Sequence, residues 1–409
     1  MSNIEQQGGP STAPLAGVRV LDLSRVLAGP VCCQVLADLG ADVVKVERPG
    51  AGDDTRAWGP PFVADGGTSG YFLSANRGKR SLALDLSHAS AREIVDGLVA
   101  RADVLVENFL PDSLERLQLT PARLTQLNPG LVIVSISGFG RTGPLANEPG
   151  YDLVIQAAAG LMSITGEPEG QPMKVGVAIT DVINGLYAAI SALAGLWDRA
   201  RSGHGRAFDL ALFDTTLASL VNVAQGSLLT GRRPQRFGNA HPQIVPYETF
   251  ATADGHLVLA VGNDAQWRRF CRAVDREDWA DDAKYATNPV RVENRADLIP
   301  LISKLMGERT TDAWRTLLNA ANVPHGPVMA IDEALAHPQT AARRMVHDVE
   351  DGSGRSFKIL GSPIHESGVA DRQPQAPPEL GQHSDEVLRD WLGFGPTQIA
   401  VLRGDSVIA

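Results

Sequence analysis

Short β-branched runs alternate with helix-forming segments through the first third of the chain, and this alternation restricts the fold more than any other feature. Residues 18–23, 42–47, 81–86, 103–108 and 132–136 read as strands. Residues 32–39, 91–101 and 121–126 read as helices between them, the first opened by Gly29-Pro30 and stopped at Gly40. Alternation of this kind gives a parallel sheet with helices on both faces, an α/β fold. Residues 153–162 and 185–199 are apolar on nearly every side, so buried helices are expected there. Near residue 225 the texture turns to Gly, Arg and Pro (GRRPQRFGNAHPQIVPYETF). A strand at 256–261 and amphipathic helices at 265–274, 296–306 and 311–321 mark a smaller second domain over 225–330. Beyond it come a helix at 331–336, a strand at 357–359 and a closing helix at 384–392.

Composition excludes several classes. A chain of 409 residues with 37 basic and 47 acidic side chains carries a net charge of −10, which disfavours nucleic acid and membrane surfaces as partners. Cys32, Cys33 and Cys271 cannot build a disulfide framework. The apolar run at 186–197 falls short of the roughly 18 residues that span a bilayer. The polar stretch 1–14 reads as a disordered tail without a cationic, apolar leader. A cytoplasmic protein is expected.

Familiar catalytic signatures are missing: no G-x-S-x-G elbow, no Walker A loop, no metal-ligand spacing among the nine histidines. Gly138-Phe139-Gly140-Arg141-Thr142-Gly143 has the form G-x-G-x-x-G, but Pro144 and Asn147-Glu148-Pro149-Gly150 keep the following chain irregular. A dinucleotide fingerprint needs a helix there, so a nicotinamide oxidoreductase is a weak alternative. Asp181 stands where a small-residue run meets a long apolar helix. It reads either as a helix cap or as a carboxylate nucleophile with room for a substrate carbonyl beside Gly176 and Gly185. Arg48, the Arg77/Lys79/Arg80 cluster and Arg116 read either as solvated loop charges or as a clamp for a polyanion.

The motifs LDLSRVLAGPVCCQVLADLGADVVKVERPG, NRGKRSLALDL, DVLVENFLPDSLERL, SISGFGRTGP, GYDLVIQAAAGLMSITG, VPHGPV and PPELGQHSDEVL resemble the class III coenzyme A transferases of the CaiB/BaiF type, from residue 15 to 392. The resemblance implies a Rossmann-like large domain built from 15–224 and 331–409, with the small α+β domain inserted between, in an interlocked homodimer. It implies no permanently bound cofactor and no metal. Coenzyme A moves as substrate, from an acyl-CoA donor to a carboxylic acid acceptor. Asp181 matches the family's nucleophile, which forms an aspartyl-CoA thioester. By the same resemblance Arg48, Lys79, Asn108, Phe109 and Arg116 match CoA-contacting positions, and Ala28 lies in the turn against which the cofactor rests. Arg25 and Leu27 are placed at the cofactor too, but depart from the histidine and glutamine of formyl-CoA transferases. Tyr151, Gln156 and His241 belong to the substrate pocket. Tyr151 stands where the family's racemases carry a histidine base, and a phenol with an ordinary pKa of about 10 is a poor one. Racemase or intramolecular isomerase activity is therefore the alternative to transfer. NAHPQIVPYETF and VNVAQGSLLTG look similar to succinyl-CoA:glutarate-type enzymes, which implies a C4–C6 dicarboxylate acceptor with succinyl-CoA as donor.

Overall fold

A computed structural model describes residues 13–64, 67–369 and 372–409; most of the expected tail thus lies outside the described residues. The chain divides into two units. One comprises residues up to 161, then 175–225 and 338–409; the other comprises 162–174 and 226–337. Residues 162–174, expected in the large domain, belong instead to the second unit.

The first unit is built on strands β1 (Arg19–Asp22), β2 (Asp42–Glu47), β3 (Lys79–Ala83), β4 (Val104–Glu107), β5 (Val132–Ser137) and β6 (Ala207–Ala211). They form one sheet in the order β3-β2-β1-β4-β5-β6, and every neighbouring pair is parallel. This is the doubly wound order, in which the direction of progression reverses between β1 and β4 and opens a crevice at their carboxyl ends. The central strands β1, β2, β4 and β5 are buried on both faces, and the polar side chains they carry there, Asp22, Lys45, Glu47, Glu107 and Ser135, are buried with them. Edge strand β6 is exposed at alternate residues.

Helices α1 (Ala28–Asp38), α2 (Gly70–Ser74), α3 (Ala91–Val99), α4 (Pro111–Leu117), α5 (Pro121–Leu127), α6 (Asp152–Ala158), α7 (Leu161–Ile164), α8 (Ile179–Ser202), α9 (Leu212–Ser219) and α10 (Val221–Thr230) follow in order. One core cluster joins α3 and the sheet to the chain's last elements through Val387, Leu388, Trp391 and Ile408. The other sits under α1 and α8 and contains Cys32, Cys33, Ala188 and Ala192. The helix Ser384–Leu392 is not the closing one: Pro396–Gly404 follows and supplies Ile399 to the first cluster.

At 24 residues α8 is long and apolar enough by composition to cross a membrane, yet its small residues Gly185, Ala188, Ala189, Ala192 and Gly195 pack on α1 and β5. Its opposite face is not buried as expected: Leu186, Tyr187, Ile190 and Trp197 are exposed.

In the second unit, β7 (Tyr247–Ala251), β8 (His256–Ala260) and β9 (His325–Pro327) make an antiparallel sheet. Its core contains Trp267, Phe270, Trp279 and Trp314, with the buried Arg291 guanidinium over the Trp267 ring. The hairpin of β10 (Val346–Glu350) and β11 (Ser356–Leu360) belongs to the first unit.

Candidate active site

The crevice at the carboxyl ends of β1 and β4 is closed by residues 24–27, which turn the chain from β1 into α1. The Asn108 side chain, just past β4, accepts from the Arg25 amide at 2.9 Å and donates to the Arg25 carbonyl at 2.8 Å. Both halves of this amide are consumed, so Asn108 spans the switch point as a strut. Val26 adopts φ +70°, a left-handed conformation costly for a β-branched residue, of the order of 1–3 kcal/mol. Its amide points at the Asp53 carboxylate, 3.3 Å away.

Four buried charges hold that turn from beneath. Lys45 pairs with Asp53 at 2.9 Å and donates to the Ser24 carbonyl at 2.8 Å. Lys79 pairs with Asp22 at 2.9 Å and also donates to the Pro30 carbonyl and to Asn76. Burial alone would raise the Asp22 carboxyl, but Lys79 and Lys45 outweigh it and bring its pKa down to about 2. All three protons of the Lys79 ammonium are thus used inside the protein, and it is not offered to a pyrophosphate. Arg77 pairs with Asp38, and Arg80 pairs with Asp42 and Asp390, at the amino edge of the sheet. The Arg77/Lys79/Arg80 cluster is structural, and the phosphate-clamp reading of it is corrected. Arg48, directly after β2, is exposed on the carboxyl edge, and Arg116 is exposed on α4. Arg25 is exposed and pairs with Asp54, while Leu27 is buried and Phe109 half-buried.

α1 starts at this turn without an acidic residue in its own first turn. Its free amides and positive dipole end therefore attract an anion from elsewhere. Asp181 supplies it. Ala178 is the N-cap of α8, so Asp181 is the third residue of the helix, within its first turn, and it is not the cap. Its carboxylate accepts from the Ala28 amide, placing it where α1 and α8 both begin. The approach is close: a Cβ on Gly185 would sit 2.6 Å from the Ala28 carbonyl oxygen and 2.9 Å from Val31 Cβ. Gly185 thus serves helix contact rather than substrate access, whereas Gly176 faces open space.

Asp181 is 9 % exposed. Burial, then the negative charge of Asp152, outweighs the Ala28 amide and lifts its pKa to about 7. Tyr71 on α2 faces the same charge: burial and then Asp181 raise its phenol. The sequence reading missed Tyr71, which nothing in its local pattern marks, and missed Asp152, adjacent to the Tyr151 that it weighed. Asp152 opens α6 and accepts from the Thr180 amide at 2.9 Å and its hydroxyl at 2.8 Å. Gln156 is wholly buried; it donates to Asp152 at 2.8 Å and accepts from the Val175 amide at 2.8 Å. Its placement as a pocket residue is therefore corrected to a strut. Tyr151 is 62 % exposed at the start of α6.

The glycine-rich loop after β5 starts no helix. Gly138 packs backbone to backbone on Gly150, where an added Cβ would meet Gly150 Cα at 2.5 Å. Arg141 anchors the loop, donating to Glu107 at 2.7 Å and to the Phe109 carbonyl at 2.7 Å. A nicotinamide fingerprint is ruled out by this geometry. His241 lies in the second unit, its Nδ1 accepting from the Gln243 amide at 3.0 Å and its ring edge-on to Tyr247. Burial and then Arg295 lower its pKa. A cavity of about 480 Å³ opens at the far end of α1, by Asp38, Arg77 and His347, and contains no residue of the switch-point site.

Residues 15–384 match the model of CoA-transferase family III. A succinate–glutarate CoA-transferase of Agrobacterium fabrum is 47% identical over 386 residues, covering 92% of this chain and 95% of its own. A human succinyl-CoA:glutarate CoA-transferase is 39% identical over 395 residues, covering 97% and 90%. Among solved structures, a CAIB/BAIF family protein from Brucella suis superposes with a TM-score of 0.82 at 41% identity, covering 93% of this chain and all of that one. With sheet order, crevice and sequence in agreement, the chain belongs to CoA-transferase family III.

Proposed function

We propose that this chain moves coenzyme A from succinyl-CoA, or a donor like it, to a C4–C6 dicarboxylate through a thioester on Asp181. The observation that carries this reading is the Asp181 carboxylate, enclosed where two helices begin, with a pKa of about 7. Such a group is desolvated enough to attack and available as the anion near neutral pH.

The carboxylate attacks the donor thioester carbonyl; the C–S bond breaks, giving a mixed anhydride and CoA thiolate. The thiolate attacks the aspartyl carbonyl, forming aspartyl-CoA and releasing the donor acid as its carboxylate. The acceptor carboxylate then attacks the aspartyl thioester, which gives a second anhydride and returns the thiolate. Thiolate attack on the acceptor's carbonyl yields the new acyl-CoA and regenerates Asp181. One thioester replaces another, so no ATP is consumed. The backbone amide of Ala28, at the start of α1, is suited to stabilise developing oxyanions. Arg48 and Arg116 are proposed for the phosphates, and Arg25, Leu27, Ala28 and Phe109 for the rest of CoA. Asn108 is proposed to hold the turn they lie on. Tyr151 and His241 are proposed substrate contacts, on the strength of the resemblance.

A homodimer is proposed as the working form, supported by the exposed apolar stripe Leu186, Tyr187, Ile190 and Trp197 on α8.

Intact-mass analysis after incubation with succinyl-CoA, with hydroxylamine or borohydride trapping and peptide mapping, tests the mechanism. A trapped modification at Asp181, absent in Asp181→Ala, is expected, together with loss of exchange in that variant. Exchange at the parent rate by Asp181→Ala would refute it. A dicarboxylate panel showing no exchange beside a good monocarboxylate acceptor would overturn the substrate assignment.

A further inference from the structure

We propose that Asp152, braced by Gln156, is a positioning residue for Asp181: its carboxylate pins both ends of the run that leads into α8 and places one fixed negative charge opposite the nucleophile. This rests on Asp181 being the nucleophile.

The two oxygens have separate tasks. Oδ1 takes both the amide and the hydroxyl of Thr180, the residue before the nucleophile. Oδ2 takes the Gln156 amide, whose own oxygen holds the Val175 amide five residues upstream of Thr180. Thr180 and Gln156 are fully buried, so the bonds are shielded from water. All three donors to Asp152 are neutral, and its charge is not cancelled by them. The elements packed against α8 also carry Cys32, Cys33 and Asp38 on α1, Asp209 on β6 and Asp214 on α9, and Tyr71 on α2 is coupled to Asp181. Among these it is Asp152 whose charge acts on Asp181, while Asp38 is paired with Arg77.

A carboxylate opposite a carboxylate has a use in acyl exchange. Like-charge pressure makes the Asp181 anion a stronger nucleophile, and forming the neutral ester or anhydride at Asp181 relieves it. A hydrogen-bonding brace alone would need no charge, since an amide could accept from Thr180 equally well.

The charge can be moved while the bonds are kept. In Asp152→Asn alone, the new NH₂ faces the Gln156 NH₂ and the brace breaks. Combining Asp152→Asn with Gln156→Glu restores it. The introduced amide oxygen still accepts from Thr180, its NH₂ donates to the introduced carboxylate, and that carboxylate still accepts from the Val175 amide. The charge then sits one turn along α6. Steady-state kinetics from pH 5 to 9 with succinyl-CoA should show kcat down on the order of tenfold in the single variant, with KM little changed. The double variant should recover most of kcat, while the acid limb of kcat/KM moves down by about half a pH unit or more. Thr180→Val, which deletes only the hydroxyl donor, should lower kcat several-fold. An unmoved acid limb in a folded double variant, or a single variant as active as the parent, would overturn the proposal. Trapping in the parent enzyme separates the two failures. No Asp181 adduct there removes the nucleophile and this proposal together; an adduct with unmoved profiles removes this proposal alone.

Discussion

Asp181 is held at the expense of the fold. Its carboxyl ionises near 4 in the unfolded chain and near 7 in the folded one. Across that window the unfolded chain binds fewer protons, so stability falls as pH rises and the loss is complete above about 7. Asp181→Asn cannot ionise and escapes the loss. Urea unfolding should show parent and variant close together near pH 4, with the variant ahead by a few kcal/mol at pH 8. A gap independent of pH would mean that Asp181 titrates normally. Lys79 argues the opposite way. Removing it leaves Asp22 charged and buried, so Lys79→Met should cost about 3–5 kcal/mol of stability. A stable Lys79→Met protein with only a raised KM for CoA would restore the phosphate reading. The junction of a small-residue run with a long apolar helix marks Asp181 in the sequence as either a helix cap or a nucleophile, and only the family resemblance chooses between them. The lysine misleads because charge is written in the chain but burial is not.

At the scale of elements, α1 and α8 make one device. Each begins at the same point, and the glycine at 185 lets the backbones meet. Gly185→Ala would force the Ala28 carbonyl away and displace the amide that Asp181 uses, so exchange should drop by at least tenfold, on the order expected for a misplaced reacting group. Circular dichroism would report whether the helices persist, and parental kcat would show that the contact is dispensable. The strand and helix pattern is legible because short β-branched runs alternate with helix formers and the punctuation between them is local. What α6 and α2 bring to Asp181 is not legible, because Asp152 and Tyr71 reach it only through tertiary packing. The exposed side of α8 misleads for a related reason: apolar sequence marks a face to be covered without saying by what.

At the scale of the molecule, that uncovered face gives the dimer its test. Ile190→Asp with Trp197→Glu should convert a particle of twice 43.5 kDa into a monomer or an aggregate by light scattering. A parent chain that is already monomeric would remove the dimer from the account.

The first unit's core is finished by residues from the far end of the chain. The Trp391 indole donates to Asp42 at 2.8 Å, Arg56 reaches the Pro378 carbonyl at 3.1 Å, and Val407 and Ile408 lie in the cluster beneath α3. A ribosome therefore releases β1 to β5 long before the pieces that seal them. At roughly 5–20 residues per second the wait from residue 161 to the last helices lasts on the order of ten to fifty seconds. During it the apolar side of β2 and β3 stands open to solvent and to other nascent chains, while the second unit is made and can fold. Chaperone demand for this chain should be concentrated in that interval, and a stop codon before Ser384 should leave a soluble second unit tethered to an insoluble sheet.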